Sequence, residues 1–434
     1  MPVAQSSAPA PRSALPPTPL SAIRPARCSC RAARSALAGF ASPRGITLGA
    51  AGGVIDTGGN TVVLQGSLSG PGGLTETGGG VLALNGASSL GGAVAVAQGQ
   101  LSVNGTLSAA AVNVGPLGIL RGIGSIAAPT AVAGTLAPGN SPGTLTFAAA
   151  VTQQAGSVLA VDIDGPGTGT GAGNFSRVLV QGAGGTYTIQ PGAVLTPVLR
   201  GISGFATNGY TPPLGQTFLV VQADGGVSGG FSTLTQPSDA LPAGARMDAM
   251  YGASTITLVV TPSSYAGLAA LGLAETPNQS AVGAALDSMR PAAGTAMPAG
   301  LAGLFNPLYL QGGGTLGVTL DELAPTIYGD ALMTGLGMRR LADGAVFDAL
   351  DSARGSESAS AMSATLSTGA TVWLGGLGQF NNVASDAAPG YRSSVAGTVA
   401  GVDVRIDPSL VVGSNSKFAF GAVFSRCGSV GGVS

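Results

Sequence analysis

The chain contains no histidine. That absence removes imidazole general bases, Ser-His-Asp triads and most zinc sites. Charged side chains are scarce too, 9% of 434 residues where about a quarter is usual. With 45% hydrophobic residues, such a chain is not held open by repulsion and must bury apolar surface. Cysteine is limited to Cys28, Cys30 and Cys427, too few for a disulfide framework. No run of 18 apolar residues occurs, which excludes a membrane-spanning helix.

The few charges are unevenly placed. Residues 1–44 carry six arginines (Arg12, Arg24, Arg27, Arg31, Arg34, Arg44) and no acid, leaving 12 basic against 19 acidic side chains, a body of net −7. With Lys417 as its single lysine, that body offers no basic stripe for phosphates, so nucleic acid is not an expected partner. The first 44 residues are Arg-, Pro- and Ala-rich and lack the 7–15-residue apolar centre of a secretory signal. They are read as a disordered or mis-assigned start, with an organelle transit peptide as the alternative.

What the chain has in abundance is glycine, 73 residues, with 28 prolines. From Gly45 to Ala160 the glycines punctuate short β-rich runs at a nearly constant interval. Val62-Val63-Leu64-Gln65-Gly66, Leu82-Ala83-Leu84-Asn85-Gly86 and Leu101-Ser102-Val103-Asn104-Gly105 place their closing glycines 20 and then 19 residues apart, and Gly118–Gly122 is a weaker echo. Apolar side chains alternate within each run, which points one face inward. A rung of about 20 residues closed by a glycine able to take positive φ predicts a parallel β-solenoid. A sandwich or barrel of short antiparallel strands is the rival; the constant interval favours stacking.

Longer strand-like runs follow at Arg177–Gln181, Ala193–Leu199, Thr217–Gln222 and Ser254–Val260. After Pro262 the spacing turns helical, around Asn278–Met289 and from Leu320 to about Leu350, with Leu332, Leu336, Ala342 and Phe347 spread along the second helix. Gly355–Ser367 reads as a flexible link. Three runs of about ten residues then alternate small and bulky side chains: Thr371–Phe380, Tyr391–Asp403 and Lys417–Ser425. In the last, Phe418, Phe420, Ala422 and Phe424 share a face, a pattern suited to outer-membrane strands.

Together these residues resemble a bacterial autotransporter over roughly Gly45 to Ser434. Gly134-Thr135-Leu136-Ala137-Pro138-Gly139-Asn140-Ser141-Pro142-Gly143-Thr144-Leu145, continued by Leu159–Gly165, resembles the passenger-associated repeat. Asp224 to Val260, with Gly230-Phe231 and Tyr251, is similar to the pertactin-like end of a passenger. Thr276-Pro277-Asn278-Gln279 resembles the segment before the translocator. Leu323-Ala324-Pro325-Thr326-Ile327-Tyr328 with the helix after it resembles the pore-threading linker, and Val372–Gly378 the first barrel strand. The resemblance implies a β-helix passenger carried outside, such as an adhesin, protease or toxin scaffold, a barrel in the outer membrane, and a helix in its lumen.

On this reading the chain is mainly β. Residues 1–44 form the odd start, 45–160 a right-handed parallel β-helix passenger, and 161–262 its pertactin-like end. Residues 263–367 form a linker with the pore-type helix, and 368–434 the first strands of an incomplete outer-membrane β-barrel. The family's barrel has about twelve strands and only 64 residues remain from Thr371; an open sheet leaves unpaired edges that hydrocarbon does not tolerate. The expectation is a truncated or frameshifted product, secretion-incompetent as written. Its rival is a working self-secretion device whose other strands lie outside this frame. The expected partners are the outer membrane and barrel-assembly machinery, if completed, and a host-surface or cell-surface ligand.

Candidate chemistry is thin, and no catalytic, cofactor-binding or metal-binding residue is expected. Gly139-Asn140-Ser141-Pro142-Gly143 and Gly226-Val227-Ser228-Gly229-Gly230 fit G-x-S-x-G, yet a nucleophile elbow needs a histidine, so both read as turns. Gly165–Gly171 has no lysine after it and is not a phosphate loop. Asp162 and Asp164 could face Ca²⁺ together, but the later acids of a calcium loop are missing; they are also the best candidates for a carboxylate-pair hydrolase. Cys28-Ser29-Cys30 lacks zinc-site spacing. Arg339-Arg340 would face a pore or solvent. The chain is therefore expected to be non-enzymatic.

Overall fold

A computed structural model describes residues 28–30, 34–36, 39–353, 361–383, 391–407 and 410–426, with the backbone alone in 28–36, 326–331, 353, 361 and 415–426. The protein is mainly β, 45% strand and 17% helix, with long parallel sheets. It divides into two compact units: residues 1–210, 219–235 and 251–256, and residues 211–218, 236–250 and 257–434.

In the first unit the chain returns repeatedly to the same sheets. Ile46–Leu48, Leu68–Gly70, Ala87–Leu90, Thr106–Ser108, Ser125–Ala127 and Thr144–Phe147 lie side by side in one, and Gly53–Asp56, Leu74–Thr77, Val94–Val103, Val112–Gly122 and Thr130–Val132 in another. Each strand pairing among the described residues of 28–235 is parallel. Hairpins of the rival sandwich would pair antiparallel. The topology is compatible with a parallel β-solenoid.

The interval in the sequence becomes a column in the core. Val62 pairs with Leu82, Leu82 with Leu101, Leu101 with Leu120, Leu120 with Leu136, Leu136 with Leu159, Leu159 with Leu195, and Leu195 with Leu234. All are buried. Each leucine stacks on its own kind one strand spacing away, and burying such a side chain contributes about 1.5–3 kcal/mol. The step lengthens from 19 residues (Leu82 to Leu101) to 39 (Leu195 to Leu234) because turns grow outward without disturbing the column.

The closing glycines serve close approach rather than positive φ. Gly66, Gly86 and Gly105 are not among the positive-φ residues; of the four closing positions Gly122 alone is, at 121°. A Cβ on Gly86 would lie 2.5 Å from the Gly66 carbonyl oxygen, and one on Gly105 would lie 2.3 Å from that of Gly86. Successive turns touch backbone to backbone there.

In the second unit a capping box starts α1 (Pro277–Met289): Thr276 Oγ1 accepts from the Gln279 amide and Gln279 Oε1 from the Thr276 amide. The helical run expected from Leu320 to Leu350 is two helices, α3 (Gly313–Leu323) and α4 (Thr326–Ala353). Ala324 is extended before Pro325, as the residue before proline prefers. Between them and α1 lies an unexpected helix, α2 (Ala299–Tyr309), which tolerates Pro307 inside it. Phe305, Leu308 and Tyr309 of α2 join Leu286, Leu316 and Leu320 around Tyr265 and Leu268, and that burial outweighs the proline signal.

Four antiparallel strands end the described chain: Ala361–Thr365, Ala370–Val383, Tyr391–Asp407 and Leu410–Arg426. The first lies inside the segment read as a flexible link; Ala361 to Thr365 pair with Gly375 to Thr371, and 354–360 are outside the described residues. α4 packs on this sheet. Among its described side chains the buried ones are the small Thr334, Ala342 and Ala349, while Leu332, Leu336 and Phe347 are exposed. Small residues let the helix approach closely, and Trp373 fills the gap, packing against Ala349 and Val399 and over Gly401. The faces of Phe418, Phe420, Ala422 and Phe424 lie outside the described side chains, as does Cys427.

Candidate functional site: an amide column beside a pinned loop

The first unit carries a polar cluster beside the leucine column. Asn85 and Asn104 stand before the closing glycines Gly86 and Gly105, so the repeat stacks their side chains. Asn104 Nδ2 donates to Asn85 Oδ1 (2.9 Å), and Asn140 Nδ2 donates to Asn104 Oδ1 (2.9 Å). The Ser102 hydroxyl lies 3.3 Å from Asn104 Oδ1 and 3.5 Å from Asn140 Oδ1.

Next to the column the Arg121 guanidinium donates to the Gly139 carbonyl (3.3 Å), Gln100 Oε1 (3.5 Å) and Ser141 Oγ. Ser203 Oγ donates to Ser141 Oγ at 3.1 Å. Burial pushes the Asp162 carboxyl above the usual range, and the Ser141 hydroxyl and Arg121 charge pull it back only in part. Ser141 of the first G-x-S-x-G is thus buried among structural hydrogen bonds. Ser228 of the second lies in a short strand, its hydroxyl donating to Thr188 Oγ1 at 3.1 Å.

Asp162 and Asp164 have different surroundings. Asp164 Oδ2 accepts from the amides of Gly173 (3.1 Å) and Thr207 (2.8 Å), and Oδ1 from Thr207 Oγ1 (2.8 Å) and the Asn208 amide (2.6 Å). Burial alone would raise this carboxyl, but the four donors prevail and hold it below the usual range. Its oxygens are committed to protein donors. Among the described residues no group of three or more Cys, Asp or Glu side chains is placed to hold a metal ion.

Asp164 thereby pins two loops. The glycine run Gly165–Gly171 is closed by Asn174, whose Oδ1 accepts from the Gly169 amide (2.7 Å) and whose Nδ2 donates to the Ala172 carbonyl (2.9 Å). It is a stapled turn. The loop at 201–209 is tied again by Asn208, which accepts from the Ile202 amide (2.8 Å) and donates to the Ile202 carbonyl (3.0 Å). At its tip Phe205 is 88% exposed.

In the second unit a cavity of about 380 Å³ opens between α4 and the antiparallel sheet, lined by Ala349, Ser352, Thr365, Trp373, Asp403 and Arg405 among others. Arg339 is largely exposed and sits 3.7 Å from Asp343 one helical turn on, a pair worth little in water. The sequence pointed to neither Phe205 nor Arg121 and offered Asn140 only inside a repeat and turn motif, though the repeated Asn-Gly was a visible signal for Asn85 and Asn104. No protein-family model and no curated protein sequence matches the chain.

Proposed function

We propose that the chain is a non-enzymatic autotransporter-type protein. Its first unit is a right-handed β-helix passenger that presents a binding surface outside the cell, and its antiparallel sheet belongs to an outer-membrane translocator assembled by the barrel-assembly machinery. The observation that carries this reading is the two-faced sheet. Val372, Leu374, Val402, Val404 and Val412 on one face are 39–52% exposed. The other face holds Trp373, Ser393, Val399 and Asp403 and receives α4. An apolar row on the face away from α4, over strands of 14 and 17 residues, suits a lipid-facing sheet with a helix in its lumen.

Such a sheet crosses hydrocarbon only when closed, so further strands must pair with its two edges. The parallel column adds support from the passenger side, because stacked rungs can be added without new topology and fold by propagation. The test is expression behind an added export signal in a Gram-negative host, with strands appended to close the sheet, followed by membrane fractionation. Recovery in the outer membrane with heat-modifiable electrophoretic migration supports the reading. A product confined to the soluble periplasm contradicts it.

A further inference from the structure

Phe205 stands in water on a loop that is anything but slack. Asp164 and Asn208 together fasten the loop through five hydrogen bonds at 2.6–3.0 Å. Such a support fixes an aromatic ring that contributes no burial to folding. The preceding Gly204 packs on the backbone of Asn140 and Ser141, where an added Cβ would lie 3.1 Å from the Asn140 carbonyl oxygen. The loop bearing Phe205 therefore adjoins the Asn140 end of the amide column. That column is polarised, Asn140 to Asn104 to Asn85, and its terminal Asn85 is exposed. Asn85 and Asn104 follow neighbouring strands, about 4.8 Å apart, and Asn140 reaches Asn104 from the turn after a strand two further on.

We infer that this surface binds a neutral oligosaccharide, with Phe205 stacking on one sugar ring and Asn140, Asn104 and Asn85 hydrogen-bonding hydroxyls along the chain. A sugar ring has an apolar C–H face and a hydroxyl edge. The negative face of an aromatic ring attracts polarised C–H groups, and side-chain amides both donate and accept. The ligand is neutral because the Arg121 guanidinium is turned into the Gly139, Gln100 and Ser141 contacts. The inference rests on reading this unit as a binding scaffold, but its test requires no export.

The full chain, purified in detergent, is applied to immobilised neutral oligosaccharides, sialylated oligosaccharides and unglycosylated peptides. Neutral oligosaccharides are expected to bind. Phe205→Ala and Phe205→Leu should weaken binding by about tenfold, the worth of one aromatic contact, while Phe205→Trp retains it. All three should melt with the wild-type chain, since the side chain is outside the core. No binding to neutral sugars, binding confined to sialylated sugars or peptides, or full binding by Phe205→Ala overturns the inference. A sugar-negative chain that still partitions into the outer membrane overturns this inference and leaves the translocator reading standing.

Discussion

The Arg290 guanidinium donates to the Asp248 carboxylate inside the second unit, with the two side chains 2% and 3% exposed. Arg246 adds a bidentate contact to the same carboxylate (2.8 and 3.0 Å), and the Tyr265 and Tyr309 rings flank Arg290 at 4.8 and 5.1 Å. Arg290 also reaches the Pro262 carbonyl at 2.6 Å. Removing one partner of a buried pair strands the other charge, at about 3–5 kcal/mol. Asp248→Ala should therefore lower stability by that order, read as a shift in the urea unfolding midpoint. Asp343→Ala, which breaks the exposed pair with Arg339, should change it by less than about 0.5 kcal/mol.

Glu76 is fully buried in register between Ile55 and Val96. Burial raises its carboxyl to about 8, against partial offset by the nearby Leu82 and Gln100 amides. The folded chain thus keeps a proton that the unfolded chain releases near pH 4.5. Stability falls as pH rises from about 4.5 through about 8, and the penalty is complete above that. Glu76→Gln keeps the shape of the neutral acid and does not titrate. Guanidinium midpoints at pH 5 and pH 9 should differ markedly less in the variant, which should be the more stable protein at pH 9.

The closing glycines predict a contrast between two substitutions of the same kind. Gly105→Ala forces a methyl to within 2.3 Å of a neighbouring carbonyl oxygen, whereas a Cβ on Gly79 meets nothing within 4 Å. The first should cost about 1–3 kcal/mol and the second should be near neutral. Thermal melting of the two variants side by side checks this.

Leu101→Ala opens a hole in the middle of the leucine column, between Leu82 and Leu120. A cost of about 2–5 kcal/mol is expected. Thr106→Ala, at an exposed position two residues beyond Asn104, should leave the same denaturation curve in place.

Much of the first unit's fold was legible because stacked parallel strands write their period into the chain. Leu82 and Leu101 recur at the same place in each rung and meet in register. The role of Gly86 was only half legible: the need for glycine was visible, but contact with Gly66 depends on a neighbouring rung and cannot be read from local spacing. The α2 helix was hidden by Pro307, since its cause is tertiary burial of Phe305 and Tyr309. Asn140 entered the amide column from outside the repeat, 36 residues after Asn104. Phe205 carries no pattern at all; its meaning comes from Asp164, 41 residues earlier in the chain.

Surface display is tested most directly by labelling. Cys28, Cys30 and Cys427 are replaced by serine, and Thr170→Cys is introduced in the exposed, stapled glycine turn. The chain, its sheet closed by appended strands, is expressed behind an export signal and intact cells are treated with a membrane-impermeant maleimide. The account predicts that Thr170→Cys is labelled before lysis, to the same extent as after it. Labelling that appears only once the cells are broken contradicts it.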